Sequence, residues 1–495
     1  MGGGILLVFL LAVGSLVLTK RPWVDEAWFT GPALDLATHG RMGTPLLDPQ
    51  GSHLRLYQPT AELRGINQRT YWVMPLHLVQ LAAWGWVFGF SVFSMRVPSI
   101  LWGVIALASV GGIIRRLYPD RWAPVIGMGV LALDFGFLDS ASDVRMDMTC
   151  AALGFAALAV YLGLREKHLR MALLISHSLS SAACFTHPNG SFAAAALLVT
   201  MAWLDWRRWR ELNPFLILIP YVAGGLGWWM YRMQAPDEFT AQFSANAAGR
   251  IDDLLRPWRG IRREIGGRFL THYWPAGSLS GKLKVVGLLL ALVAGAAMMA
   301  VRPLRASAGC RLLLCLALLR FLLMSVAANG KFTYYMVHIV PYFAALIAIA
   351  ASYAFARRGA LVRGLAGIAL AAYFVVQGAA LWHKTVAVSG YVKEYQPLVA
   401  YLKSVVKLND QIVGSAELGF GLGFYDPRLV DDVWLGYWSH RRPTIVVVDR
   451  WYYEEVMHAA TQHDFPVPEY FEQLLASRFD LIKELKGYRV YRRRT

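Results

Sequence analysis

The chain has 495 residues, of which 56% are hydrophobic and only 16% charged, with a net charge of +17. Soluble globular proteins carry about a quarter charged residues, so this composition excludes an ordinary soluble enzyme and predicts a polytopic membrane protein. The basic excess sits in short clusters between apolar runs, which fits orientation in a membrane better than nucleic-acid binding.

The first apolar run, residues 2–19, reads as a retained helix, since neither a basic leader nor a small-residue cleavage site accompanies it. It leads directly into Arg21-Pro-Trp-Val-Asp25-Glu26-Ala-Trp28. Two carboxylates at a membrane surface are either solvated or functional. Residues 71–90 are apolar and long enough to span, yet Trp72, Trp84 and Trp86 with the breakers Pro75, Gly85 and Gly89 suit a helix lying along the outer surface. Further apolar runs follow at 97–114, 122–138, 148–164, 171–185, 191–204, 214–230, 285–301, 312–328, 334–355 and 364–382. Together with the first they predict about eleven spans of a ~30 Å hydrocarbon core.

The basic clusters at 115–121, 165–170, 207–210, 302–311 and 357–363 then share one face, which is cytoplasmic by the excess of positive charge. The connections 139–147, 187–190, 231–284 and 329–331 face outward. The predicted organisation is a transmembrane domain over 1–382, with outer loops 20–96 and 231–284, and an extracytoplasmic α/β domain over 383–495. That last segment has strand-like runs at 411–415, 444–449 and 488–491 and helical patterns at 395–407 and 470–478. Gly419-Phe-Gly-Leu-Gly423 lacks the full spacing of a dinucleotide loop and reads as a turn. The four cysteines, Cys150, Cys184, Cys310 and Cys315, show no metal-ligand spacing with histidines and read as small buried residues.

The outward connections bring sequence-distant polar groups to one surface. These are Asp25-Glu26, Arg145-Met-Asp147, His187-Pro-Asn-Gly190 and Lys331-Phe-Thr-Tyr334-Tyr335, with Arg259 and His272 in the long loop. The set resembles the GT-C membrane glycosyltransferases that use polyprenyl-phosphate sugars, among them protein O-mannosyltransferases and the lipid A aminoarabinose transferase. The matching residues are Asp25-Glu26-Ala-Trp28, a loose Tyr71-Trp-Val-Met-Pro75, Arg96-Val-Pro-Ser99, Arg145-Met-Asp147, and Lys331 with Tyr334, Tyr335 and Pro341. The chain departs from the family where His187-Pro-Asn-Gly190 replaces a Lys-Gly turn and His338 replaces a proline.

The resemblance implies an α-helical GT-C-like membrane fold with surface helices and a small outer α/β domain. It implies inverting transfer of a sugar from a polyprenyl-phosphate donor to a lipid, glycan or protein acceptor, at the outer face of an inner membrane. Attack by an acceptor hydroxyl needs a general base, and Asp25 is the expected one. Glu26 shares that role, caps a helix or holds a basic partner. Asp147 positions the acceptor or pairs with Arg145. The leaving phosphate gains charge that cations stabilise, and Lys331, Tyr334, Tyr335, Arg145 and Arg96 are the expected donors. His187, Arg259 and His272 are expected at the substrate. Asp25, Glu26 and Asp147 also offer oxygen ligands suited to Mg or Mn, although the resemblance does not require a metal. A transporter or flippase of a lipid-linked sugar is the alternative, although such proteins tend to place polar groups near mid-membrane. A non-catalytic membrane protein would leave the ordered motifs without a reason.

Overall fold

Alanines and glycines recur among larger apolar side chains where helices meet in the computed structural model. The structure describes residues 2–47, 63–247, 252–271, 285–327, 331–357, 359–432, 437, 439–449, 457 and 467–494. The chain divides into two compact units, one of residues 1–17, 97–228 and 249–384, the other of 18–96, 229–248 and 385–495.

The first unit is helical. Its core combines Phe9, Phe137, Phe155 and Tyr342 with many alanines, among them Ala106, Ala151, Ala152, Ala344, Ala345 and Ala348. Lipid tails are as apolar as leucine, so helices in a bilayer associate through close packing of small residues rather than through a hydrophobic drive. Gly190 shows how close the approach is, since a Cβ there would lie 2.2 Å from the backbone carbon of Ala183. Among the described residues of the whole chain, six helical stretches are long and apolar enough to cross a membrane, and a seventh if a bent pair counts as one span. The bent pair, Trp122–Leu133 and Phe135–Ala141, turns by 66°. Asp134 sits in the break and accepts a hydrogen bond from the Phe137 N–H at 2.9 Å, capping the second piece. Helix Pro214–Arg232 has no buried residue, and Phe215, Leu218 and Val222 are exposed as lipid would require. The protein is an integral membrane protein with at least these spans. The expected total of about eleven is not reached by length and composition alone, because helices such as Gly190–Asp205 and Val285–Ala300 have 16 residues each.

The second unit is α/β. Among the described residues its five strands are β1 (Ile412–Val413), β2 (Leu429–Val430), β3 (Ile445–Asp449), β4 (Phe479–Leu485) and β5 (Tyr488–Arg493), in the order β2-β1-β3-β5-β4. β1 pairs in parallel with β2 and β3, whereas β5 is antiparallel to both β3 and β4. β3 reads Ile-Val-Val-Val-Asp and is buried throughout, as a central strand covered on both faces should be. Gly419–Leu422 forms one short helical turn, and Gly423 leaves it with φ of 111°, a backbone region that favours glycine.

Residues 18–96 pack within this same unit. Trp28, Trp72, Leu46 and Leu63 share a core with Leu398, Ile445, Val447, Tyr488 and Val490. The Trp28 indole N–H donates to Asp431 at 3.0 Å, and Arg21 lies 3.8 Å from Glu394 and 3.7 Å from Asp449. The segment 71–90 contains the helix Pro75–Phe88. At 14 residues it is about 21 Å long, too short to cross a bilayer core.

Candidate functional site

Asp25 and Glu26 occupy the first turn of the helix Val24–His39. The sequence placed them in a loop after the first helix, and the structure instead makes them helix-starting residues. Acids suit that position because the unpaired backbone N–H groups of a first turn carry partial positive charge. The helix ends at Gly40, whose φ of 71° gives the left-handed cap that returns its N–H to the Leu36 carbonyl at 3.1 Å.

The two neighbouring acids have different surroundings. Glu26 is fully buried and receives both prongs of Arg96, Nε to Oε1 at 2.7 Å and Nη2 to Oε2 at 2.7 Å. Its Oε2 also accepts the Trp23 N–H at 2.9 Å. Arg96 also donates to the carbonyls of Lys20 at 3.0 Å and Arg21 at 3.3 Å. Of the roles open to Glu26, the geometry displays two, the helix cap and the basic partner. Arg96 was expected at a phosphate, and its guanidinium is instead spent on Glu26 and on the chain leading to it. Asp25 remains partly exposed. A carboxylate doubly bonded to a buried guanidinium is a poor ligand for a hard cation, so Glu26 does not fit the Mg or Mn role.

A second cluster lies in the helical unit. The stretch Glu264–Thr271 winds as a π-helix, and its Glu264 and Arg268 are both fully buried. Arg268 donates to Glu264, and its Nη1 reaches the Phe332 carbonyl at 2.7 Å. Lys331 joins the same carboxylate at 3.1 Å and donates to the carbonyls of Met324 at 3.0 Å and Ser325 at 2.8 Å. Those carbonyls end the helix Ala308–Ala327, where a lysine suits the negative end of the helix dipole. Two cations thus share one carboxylate, which leaves a surplus of one positive charge. Burial pushes the Lys331 ammonium below the ordinary lysine range, and the Glu264 charge offsets part of that.

Arg145 and Asp147 pair at 2.9 Å, both buried. The Arg145 guanidinium also lies over the Tyr334 ring at 3.5 Å from its centre. Tyr334 and Tyr335 meet edge to face at 4.9 Å, and Arg268 lies 5.6 Å from the centre of the Tyr335 ring. The structure therefore gathers Arg145, Asp147, Lys331, Tyr334 and Tyr335, all named from the sequence, around a linked set of aromatic and charged contacts.

Of the remaining expected residues, His187 joins this set, whereas Arg259 stands beside a different acid. His187 is buried against Tyr335 and His338, with ring centres 5.4 Å and 6.4 Å away. Arg259 has a 59% exposed side chain and stands 3.8 Å from Asp253. His272 lies outside the described residues, as do Tyr273, Trp274, Asn329 and Gly330. Sequence reasoning missed Glu264. The usable signal was an acid and a base four residues apart in a basic loop, the spacing that pairs side chains on a helix.

No family profile and no curated protein matches this chain. Solved structures do. ArnT from Cupriavidus metallidurans matches in its apo state with a TM-score of 0.60 at 14% identity, over 99% of this chain and 98% of that one. The same protein bound to undecaprenyl phosphate matches at 0.59, with the same identity and coverage. The archaeal oligosaccharyltransferase AglB from Archaeoglobus fulgidus, in complex with an inhibitory peptide and a dolichol-phosphate, matches at 0.52 and 13% identity, over 99% of this chain and 74% of that one. At such identities the likeness is one of architecture, and it establishes that this polytopic membrane protein has the GT-C fold.

Proposed function

We propose that this chain is a membrane glycosyltransferase. It moves a sugar from a polyprenyl-phosphate donor to a lipid, glycan or protein acceptor at the outer face of the membrane. The observation that carries this reading is a likeness of fold, over 99% of the chain, to ArnT bound to undecaprenyl phosphate. The surplus positive charge at Glu264, Arg268 and Lys331 supports it, because a phosphate ester is the kind of anion such a surplus would hold.

In the proposed step, an acceptor hydroxyl attacks the anomeric carbon from the side opposite the phosphate, so the configuration inverts. Asp25 takes the hydroxyl proton as the new C–O bond forms. The bond from carbon to phosphate oxygen breaks, and its electron pair stays on the phosphate. Lys331 acts through its charge, since its ammonium already reaches Glu264 and two carbonyls. Tyr334 and Tyr335 are the proposed hydroxyl donors to the phosphate, and Arg145 adds charge beside them. Arg96 and Glu26 act as positioning residues that fix the first turn carrying Asp25. Asp147 is assigned to holding Arg145, and Arg259 to contacts with the acceptor.

The test is a transfer assay on purified protein in lipid. It is offered a panel of polyprenyl-phosphate sugars with acceptor extracts, and release of polyprenyl phosphate is measured. Acceptor-dependent release with one donor is expected. Movement of the intact lipid-linked sugar across the bilayer, with no release from any donor while an ArnT control turns over, would replace this reading with a transporter.

A further inference from the structure

Two of the positions at which the sequence departs from the pattern it resembles, His187 and His338, come together in the fold, and Cys150 joins them. One ligand atom from each of Cys150, His187 and His338 lies within 4.8 Å of those of the other two, and all three residues are buried. Cys150 stands at the start of the second turn of the helix Met146–Leu164, His187 at the turn after the helix Leu169–Thr186, and His338 at the end of the 3₁₀ turn Thr333–His338. Three sequence-distant elements thus present one thiol and two imidazoles to a common point. The His338 Nε2 atom is buried and has no hydrogen-bond partner among the described residues. A buried imidazole nitrogen left without a partner costs roughly 1–3 kcal/mol and calls for a reason.

We propose that Cys150, His187 and His338 form a binding site for a soft d10 metal ion, Cu⁺ or Zn²⁺. One sulfur and two imidazole nitrogens are the donor set that such ions favour, whereas Mg and Mn prefer oxygen. Its three donors include none of the carboxylates considered for a hard cation, although Asp147 lies on the same helix as Cys150. Coordination exchanges the Cys150 S–H bond, whose sulfur now donates to the Ala183 carbonyl at 3.5 Å, for a sulfur–metal bond, and one proton leaves. His338 supplies its unpartnered Nε2 as a neutral ligand. His187 is the least prepared of the three, because its Nδ1 accepts the Asn189 N–H at 3.0 Å and binding through that nitrogen must displace this bond. Cu⁺ with one thiolate brings no net charge into this buried site, whereas Zn²⁺ with one thiolate leaves one positive charge to accommodate, so Cu⁺ is the better match and Zn²⁺ the second. An ion here would tie the helix that begins with Asp147 to the segment that carries Tyr334 and Tyr335.

The experiment uses the full-length, reduced, metal-free protein in nanodiscs. One portion is titrated with Co²⁺ as a coloured substitute for Zn²⁺, and another with Cu⁺ against a competing chelator under argon. One equivalent of either ion is expected to bind, with a thiolate-to-Co²⁺ charge-transfer band in the Co²⁺ arm or a Cu–S distance by X-ray absorption in the Cu⁺ arm. Cys150→Ser should abolish that sulfur signature. His338→Ala should weaken binding at least about 10-fold, and His187→Ala by less. No stoichiometric binding of either ion to the unmutated protein overturns the proposal, and so does a sulfur signature that survives Cys150→Ser. The first of these outcomes needs no variant to fold.

Discussion

Two buried charge clusters face the same physical problem and resolve it differently. In the α/β unit, one glutamate meets one arginine, and Glu26 and Arg96 neutralise each other with two short bonds. In the helical unit, one glutamate meets two cations, and Glu264 leaves Arg268 and Lys331 with a net positive charge. Removing ions from water is expensive, and a matched, fully bonded pair recovers much of that cost. A mismatched cluster recovers less, and burial lowers the proton affinity of Lys331 accordingly. The balanced pair therefore reads as framework, and the unbalanced one suits the phosphate contact proposed for it.

The sharpest way to break this contrast is at Asp25, the partly exposed neighbour of the balanced pair. Asp25→Asn should lower transfer by about 100-fold or more, with the protein still eluting as a single folded species. Full turnover by purified Asp25→Asn would remove it as the base.

Next comes the balanced pair itself. Glu26→Gln leaves a fully buried guanidinium short of a charge partner and should cost about 3–5 kcal/mol, read as the midpoint of denaturant unfolding. The double change Glu26→Leu with Arg96→Met should recover most of that loss. If both variants unfold at the same denaturant concentration as the parent, the pair is not framework.

The unbalanced cluster should behave in the opposite way. Lys331→Ala leaves Glu264 paired with Arg268, so stability should change little while the donor KM rises about 10-fold. A fall in stability with an unchanged KM would make Lys331 a structural residue. A smaller effect is the pH dependence. Below its lowered pKa Lys331 carries its charge, and above it the charge is lost, so donor affinity should fall on the alkaline side at a pH below the ordinary lysine value of about 10.4. Lys331→Arg should move that alkaline limb upward, since arginine stays protonated. The smallest effect is expected at exposed Arg259, where Arg259→Ala should change turnover by about 2-fold and should lose even that in high salt.

Much of this contrast was legible in the sequence, but only as ingredients. Asp25-Glu26 announced itself because paired acids after an apolar run are unusual, and Lys331-x-x-Tyr334-Tyr335 because of its spacing. Which acid would be spent on structure was not legible, since Glu26 and Arg96 are 70 residues apart and charge pairing at that range leaves no local pattern. The same limit hid the meeting of Glu264 with Lys331. Strands β1, β3 and β5 were anticipated from alternating or continuous apolar runs. β2 was missed because it spans two residues, and β4 because Asp480, Lys483 and Glu484 break its apolar pattern. The helix Pro75–Phe88 is bounded by Pro75 and Gly89, two of the breakers visible in the sequence, while the third, Gly85, lies inside it.

Those charges in β4 have a consequence of their own. β4 is one border of the sheet, and its pairing with β5 is irregular between Leu481 and Lys483. A border strand offers unpaired backbone groups that invite another chain to add on. Asp480, Lys483 and Glu484 are exposed along it, and the irregularity bends its outline. Both features discourage strand addition between copies. Replacing these three by valine and threonine would therefore be expected to make copies of the protein self-associate through this strand.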